Sequence, residues 1–297
     1  MLVYAGSASK YLGLKLSKIL NIEYVNVETR KFPDGELYIR VDKEPLNEKA
    51  LIVQSMYKTP NDYLVEYLFL SKTLKELGAK EVIGVIPYFP YARQDSRFKP
   101  GEVVSLQVVV DLLEKMGTDK VITVDMHLHR VHDLNEISKI PFVNLSVMED
   151  IGKFFMKKIG NEDTIVVGPD EEAEQWAKKV AYILNVQYTI LEKTRLGDLE
   201  VKIEKVEKED FKNKNVILID DIISTGGTIE AAVKKVKAQG AEKVFVGCAH
   251  AILAQTAEYR IFRAGVEELV ASDSIPSPYS VVSIAPVIAD YIKKFLL

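Results

Sequence analysis

A chain of 297 residues is long enough for about two domains, and its 47% apolar content suffices for buried cores. Thirty-nine Lys and Arg against 43 Asp and Glu give a net charge of −4, which argues against a basic nucleic-acid or membrane-binding surface. The single cysteine, Cys248, excludes an internal disulfide, the start MLVYAGSASK lacks the plan of a secretion signal, and no apolar run reaches a membrane span, so a cytoplasmic protein is expected.

Residues 2–6 read as a short strand running into Ser7-Ala8-Ser9 and a helix to about Leu20, with 22–27 as the next strand. Pro33-Asp34-Gly35 is turn chemistry between extended flanks, so 30–40 should form a hairpin projecting from the body. A strand at 51–53, a helix at 62–77 and a strand at 82–86 follow. Residues 88–101 hold two prolines, Pro90 and Pro100, and the cluster Arg93-Gln94-Asp95, and read as a loop. A helix at about 103–116 then leads to a strand at 121–124 that ends in Asp125-Met126-His127.

The second half repeats this plan. Leu20-Asn21-Ile22 corresponds to Leu184-Asn185-Val186, Gly78-Ala79-Lys80 to Gly240-Ala241-Glu242, and the stretch from Gly117 to Asp125 to that from Gly265 to Asp273. The offsets are 164, 162 and 148, so the first half carries about 14 extra residues around the Arg93 loop. Alternating strands and helices predict an α/β protein of two tandem domains, each a mainly parallel sheet flanked by helices. The boundary is placed between 142 and 143, giving domains 1–142 and 143–297, with a helix at about 146–158 and a final helix that is a candidate to pack back on the first half.

Most of the chemistry gathers in 216–229. An apolar run reaches Asp220 and Asp221, turns through Ser224, Thr225, Gly226, Gly227 and Thr228, and enters a helix with Ile229, Ala232, Val233 and Val236 on one face. Glycines let backbone N–H groups approach an anion, hydroxyls add donors, and the helix N-terminus adds partial positive charge. The paired acids can hold ribose hydroxyls or a hard divalent cation. The matching segment of the first half, from Leu51, has neither acid pair nor glycines. That half carries Phe32 beside Asp34 and Glu36, which suits a purine, the guanidinium fork of Arg93, and Asp125 with His127, which alternate at a strand end and could share one metal-bound triphosphate. His129 and His132 read as surface residues.

The 216–229 stretch resembles the phosphoribosyl-pyrophosphate loop of the type I phosphoribosyltransferase superfamily. With the Phe32-Pro33-Asp34-Gly35-Glu36 hairpin, the Tyr91-Ala92-Arg93-Gln94-Asp95 loop and the Asp125-Met126-His127 strand end, nearly the whole chain resembles the ribose-phosphate pyrophosphokinase family. The resemblance implies transfer of pyrophosphoryl from ATP to ribose 5-phosphate. Phe32, Asp34, Gly35, Glu36, Arg93 and Gln94 would bind ATP, while Asp220, Asp221, Ser224, Thr225, Gly226, Gly227, Thr228 and Arg195 would bind ribose 5-phosphate. His127, Asp125 and Asp170 would serve Mg²⁺, and Lys193 and Arg195 would act as the catalytic pair of a loop closing over the phosphates. It also implies a homo-oligomer, dimer or higher, whose hairpin reaches a neighbouring subunit's site, with no nucleic acid or membrane as partner. The sequence departs from the family after Asp170, where Glu171-Glu172-Ala173-Glu174 replaces small residues, and at Ser224, where many relatives have an acid. The rival readings are a phosphoribosyltransferase that consumes the product and a non-catalytic homologue that binds the same ligands.

Overall fold

The computed structural model describes residues 1–128, 130–131, 133–191, 193–195, 201–203 and 211–297, with backbone alone for 193–195 and 201–203. The chain divides into two compact units: Met1–Leu145 with Ile284–Leu297, and Ser146–Ser283. The first part of unit 1 holds β1 (Leu2–Ala5), α1 (Lys10–Leu20), β2 (Glu23–Val25), β3 (Val27–Lys31), β4 (Leu37–Val41), β5 (Lys49–Val53), α2 (Pro60–Glu76), β6 (Glu81–Val85), α3 (Ser105–Lys115), β7 (Lys120–Val124) and β8 (Phe142–Leu145). Unit 2 holds α4 (Met148–Ile159), β9 (Thr164–Gly168), α5 (Glu174–Leu184), β10 (Tyr188–Ile190), β11 (Lys193–Arg195), β12 (Val201–Ile203), β13 (Asn215–Ile223), α6 (Gly227–Ala238), β14 (Lys243–Ala251), α7 (Ala257–Arg263), β15 (Glu268–Ser272) and β16 (Ser280–Val282). The last helix, α8 (Ala285–Phe295), returns to unit 1.

Each unit is built on a six-stranded parallel sheet, and the two strand orders are the same: β2-β1-β5-β6-β7-β8 and β10-β9-β13-β14-β15-β16. Alternating side chains serve two helix layers. In unit 1, Ala50 and Ile52 join the core with Leu70 and Leu74 of α2 and Val110 and Leu113 of α3. In unit 2, Val216 and Leu218 meet Ile229 and Val233 of α6 and Ile261 of α7, while the other face of the sheet carries α4 and α5.

The internal repeat has a physical basis in helix ends. Its three matched positions are left-handed residues that terminate helices: Asn21 and Asn185 (both φ 53°), Gly78 and Gly240 (φ 86° and 94°), and Gly117 and Gly265 (φ 92° and 102°). The next residue then closes a wide turn onto the helix, as in Ile22 N→Ser17 O and Val186 N→Ala181 O, both 3.1 Å. The repeat also accounts for α8. As α4 follows β8 and packs on α5, so α8 follows β16 and packs on α1, the counterpart of α5. Lys49 Nζ donates to Leu296 O at 2.8 Å and fastens its end.

Three local expectations change. The chain divides after Leu145 rather than after 142, because β8 pairs with β7 from Phe142 to Leu145. The strand expected over 22–27 is two strands in different sheets, β2 on the main sheet and β3 paired antiparallel with β4. Residues 193–195, expected in a loop, are an extended strand paired with 201–203, since pairing is set by the partner backbone and not by local apolar pattern. Among the described residues no helix is long and apolar enough to cross a membrane.

Candidate functional site

The 224–228 turn sits where β13 outruns its neighbour. β13 pairs with β9 only as far as Leu218↔Val167, but with β14 to Ile223↔Ala251. Asp220 and Asp221 thus lie beyond the end of β9, next to the Gly168-Pro169-Asp170 turn. Burial, then the carboxylates of Asp221 and Asp170, push Asp220 well above the usual carboxylate range. Asp221 is buried, and its Oδ1 accepts from Ile222 N at 2.7 Å. The Cys248 thiol, paired with Asp220 across the strands, is pushed up by burial and by both acids.

The turn itself is fixed from behind. Leu253 N donates to Ile223 O at 3.1 Å and Ala254 N to Ser224 O at 2.9 Å, so the connection after β14 takes up carbonyls of the loop. Gly226 has φ 74° and caps α6, and a Cβ there would stand 3.2 Å from Ala257 O. Only glycine meets both demands. The N-terminus of α6 then presents Gly227 and Thr228, the arrangement that binds phosphate.

Asp170 caps the short 3₁₀ turn Glu171–Ala173, its side chain accepting from Ala173 N at 3.3 Å. Of the acids that follow, Glu171 and Glu174 are exposed, and Glu174 accepts from Tyr188 OH at 3.2 Å. Unit 2 therefore brings together Asp170, Asp220, Asp221 and 224–228. The backbone of Lys193 and Arg195 forms β11, and their side chains lie outside the description.

Unit 1 places its own candidates at the same end of its sheet. The 91–97 loop follows β6 and the 125–131 segment follows β7, its neighbour. Asp95 joins them: it is buried and accepts from the backbone amides of Arg130 and Val131, the second at 3.0 Å. Arg93 is exposed and makes no ion pair with Asp95. Gln94 Nε2 donates to Ser96 O at 3.3 Å and Glu102 Oε2 at 3.4 Å. Asp125 and His127 do not alternate on a strand, because β7 ends at Val124 and Asp125 turns back with φ 36°. Asp125 is buried and His127 half-buried. His129 and His132 lie outside the described residues.

The hairpin β3–β4 stands as a ribbon of its own. Its tip closes through Phe32 N→Glu36 O at 2.8 Å and Gly35 N→Phe32 O at 2.9 Å, with Asp34 and Glu36 exposed. The Arg30 guanidinium lies 4.8 Å from the Phe32 ring centre and 4.1 Å from that of Tyr38, which holds the aromatic pair in place.

Comparison with known proteins decides the family. Residues 1–117 match the model described as the N-terminal domain of ribose phosphate pyrophosphokinase, and 133–270 match the phosphoribosyl transferase domain. The ribose-phosphate pyrophosphokinase of Methanopyrus kandleri is 39% identical over 294 residues, 99% of each chain. That of Methanobrevibacter smithii is 40% identical over 302 residues, covering 98% of this chain and 100% of the relative. The chain belongs to the ribose-phosphate pyrophosphokinase family. The crystal structure of phosphoribosylpyrophosphate synthetase from Mycobacterium smegmatis superposes with a TM-score of 0.88 at 30% identity, over 98% of this chain and 97% of that one.

As a ribose-phosphate pyrophosphokinase, the chain has site supports that sequence reasoning missed. Asp95 serves the backbone amides of Arg130 and Val131, partners that lie 35 and 36 residues away in the chain. Glu66 is buried on α2 among apolar neighbours and accepts from Ser7, Thr29 and Gln54. The available signal was its place four residues before Leu70 on the apolar stripe. His250 on β14 is also buried, with Nδ1 2.8 Å from Ser274 Oγ, beside the strand that carries the paired acids.

Proposed function

We propose that the enzyme transfers the β,γ-pyrophosphoryl group of ATP to the C1 hydroxyl of ribose 5-phosphate, giving 5-phosphoribosyl 1-pyrophosphate and AMP, for nucleotide biosynthesis. The observation that carries this reading is a difference between the two copies of one repeated plan. Unit 2 keeps the phosphate loop between β13 and α6, whereas the same place in unit 1, between β5 and α2, reads Gln54-Ser55-Met56-Tyr57-Lys58-Thr59. Unit 1 carries the arginine loop, the histidine and the aromatic hairpin instead.

In this mechanism Ser224, Thr225, Gly226, Gly227 and Thr228 hold the 5-phosphate on the N-terminus of α6. Asp220 and Asp221 orient the ribose so that its C1 oxygen faces the β-phosphorus. Phe32, Asp34, Gly35 and Glu36 take adenine, and Arg93 with Gln94 takes the nucleotide phosphates. The C1 oxygen bonds to the β-phosphorus and gives up its proton to solvent as the bond to the α,β-bridging oxygen breaks, its electron pair leaving with AMP. Lys193 and Arg195 close over the reacting phosphates and offset the charge that develops there.

The donor set suits Mg²⁺. Asp220 is repelled by Asp221 and Asp170, and oxygen donors of this kind are what a hard cation takes. Among the described residues no group of three or more His, Cys, Asp or Glu side chains is placed to hold a metal ion by itself. Asp170 would hold the ribose-side ion, and His127 with Asp125 the ion of the ATP complex. When bound, Mg²⁺ supplies positive charge at the polyphosphate oxygens.

A homo-oligomer, dimer or higher, and a cytoplasmic location belong to the same proposal. Residues 32–36 are exposed throughout, as a segment that completes another copy's site must be. Incubation with ATP, ribose 5-phosphate and Mg²⁺, with nucleotides separated afterwards, tests the reading. AMP formed only when ribose 5-phosphate is present is expected; ADP would indicate an ordinary kinase and contradict it.

A further inference from the structure

The connection from β14 to α7 is held in an unusual path, with Leu253 (φ 48°) and Gln255 (φ 58°) both left-handed. Its two hydrogen bonds to Ile223 and Ser224 lay α7 along the phosphate loop. Ala257 opens the helix and presses on Gly226, where an added Cβ would stand 3.3 Å from the Cα and Cβ of Ala257. Three residues further on the same face is Arg260. Its Nη1 lies 4.0 Å from the point a Cβ on Gly227 would occupy. The guanidinium makes no ion pair among the described residues. Glu230 of α6 is taken by Lys234 at 2.6 Å, and Glu258 of α7 by the hydroxyl of Tyr279.

The loop has a charge problem that this residue answers. A phosphate monoester carries about −1.5 to −2 charges near neutral pH, and a helix N-terminus offsets only about half a charge. The carboxylates of Asp221 and Asp170, which crowd Asp220 at the strand end that feeds the loop, add negative charge beside it. We propose that Arg260 is a further binding residue of the 5-phosphate site: a cation beside Gly227 that neutralises the phosphoryl group while the loop's amides and hydroxyls hold its oxygens. This rests on the ribose 5-phosphate reading of the loop. It makes Arg260 a determinant of preference for ribose 5-phosphate over unphosphorylated ribose. A guanidinium suits the role because its charge persists at every working pH and its fork matches phosphate oxygens.

The test is titration calorimetry of ribose 5-phosphate, without ATP, on the full chain and on its Arg260→Gln and Arg260→Lys variants, with steady-state kinetics alongside. Arg260→Gln should weaken ribose 5-phosphate by about tenfold or more, the scale of one charge-assisted contact. Arg260→Lys should recover most of that loss, and the KM for ATP should stay within about twofold of wild type in both. Unchanged affinity in Arg260→Gln, or an equal rise in the KM for ATP, overturns the proposal. If the wild type binds ribose 5-phosphate yet releases no AMP, the reaction proposed above falls while the variants still decide the role of Arg260. If the wild type binds no ribose 5-phosphate, both fall.

Discussion

Thr29 Oγ1 donates to Glu66 Oε1 at 3.0 Å, which ties the root of the hairpin to the middle of α2. Two residues along the same strand face, Lys31 Nζ meets Asp62 Oδ2 at 2.7 Å. A strand repeats every two residues and a helix nearly every four, so Thr29 and Lys31 on β3 match Glu66 and Asp62 on α2. The Glu66 carboxylate also accepts from Ser7 N at 2.7 Å and Gln54 Nε2 at 3.0 Å, both on loops at the ends of sheet strands. One buried acid thus fixes the hairpin, the β1–α1 turn and the β5–α2 turn together.

Glu66→Ala leaves several buried donors without an acceptor and should cost about 3 kcal/mol or more. Denaturant midpoints at constant slope measure this, and a loss below about 1 kcal/mol would show that water replaces the carboxylate freely. Thr29→Val removes one charge-assisted bond at the hairpin root, about 1.5 kcal/mol. It should raise the KM for ATP severalfold and leave that for ribose 5-phosphate unchanged.

Gly226→Ala places a Cβ against Ala257 at a φ of 74°. The left-handed backbone alone costs about 1–2 kcal/mol for a non-glycine residue. The variant should lose that much stability by thermal or chemical denaturation and bind ribose 5-phosphate at least tenfold more weakly. Wild-type affinity would mean that the loop can move off α7 without harm.

Asp95→Asn keeps the shape of the side chain but removes the charge that accepts from the amides of Arg130 and Val131. The loss of charge assistance is about 1–2 kcal/mol. Since Asp95 couples the Arg93 loop to the segment after His127, kcat/KM for ATP should drop about tenfold. Ribose 5-phosphate binding, measured without ATP, should not change.

The Tyr279 hydroxyl donates to Glu258 and stacks its ring at 5.7 Å from Phe262, anchoring α7. Burial, then the bond to Glu258, pushes the phenol from its ordinary 10.0 up to about 12. The folded state therefore prefers the neutral phenol. The stability this contributes is fully present below about pH 10 and is lost as pH rises through about 12. Tyr279→Phe should be less stable than wild type by a constant margin below pH 10, and the margin should narrow as pH rises from about 10 to about 12. A margin that does not change with pH in that range contradicts the assignment.

Much of the candidate site's local structure was legible in the sequence because its residues are contiguous. Asp220, Asp221 and the Ser224-to-Thr228 turn are contiguous, and a strand, a glycine turn and a helix leave a strong pattern in one short stretch. The repeat was legible for a related reason: Asn21, Gly78 and Gly117 recur as Asn185, Gly240 and Gly265 because a left-handed helix end admits few residue types. What stayed hidden depends on distant partners. Nothing near Asp95 announces the amides of 130 and 131, and nothing near Arg260 announces Gly227. The turn of Asp125 out of β7, and the pairing of 193–195 with 201–203, likewise depend on neighbours that a local pattern does not name.

The central claim is that pyrophosphate moves as one unit from ATP to C1 of ribose. Phosphorus-31 NMR of the wild-type enzyme with ATP, ribose 5-phosphate and Mg²⁺ tests it most directly. The account predicts that the three ATP signals give way, in equal amounts, to AMP and to a sugar phosphate carrying a new two-phosphorus chain. Signals of ADP with a singly phosphorylated C1, or of free pyrophosphate with no sugar diphosphate, would contradict it.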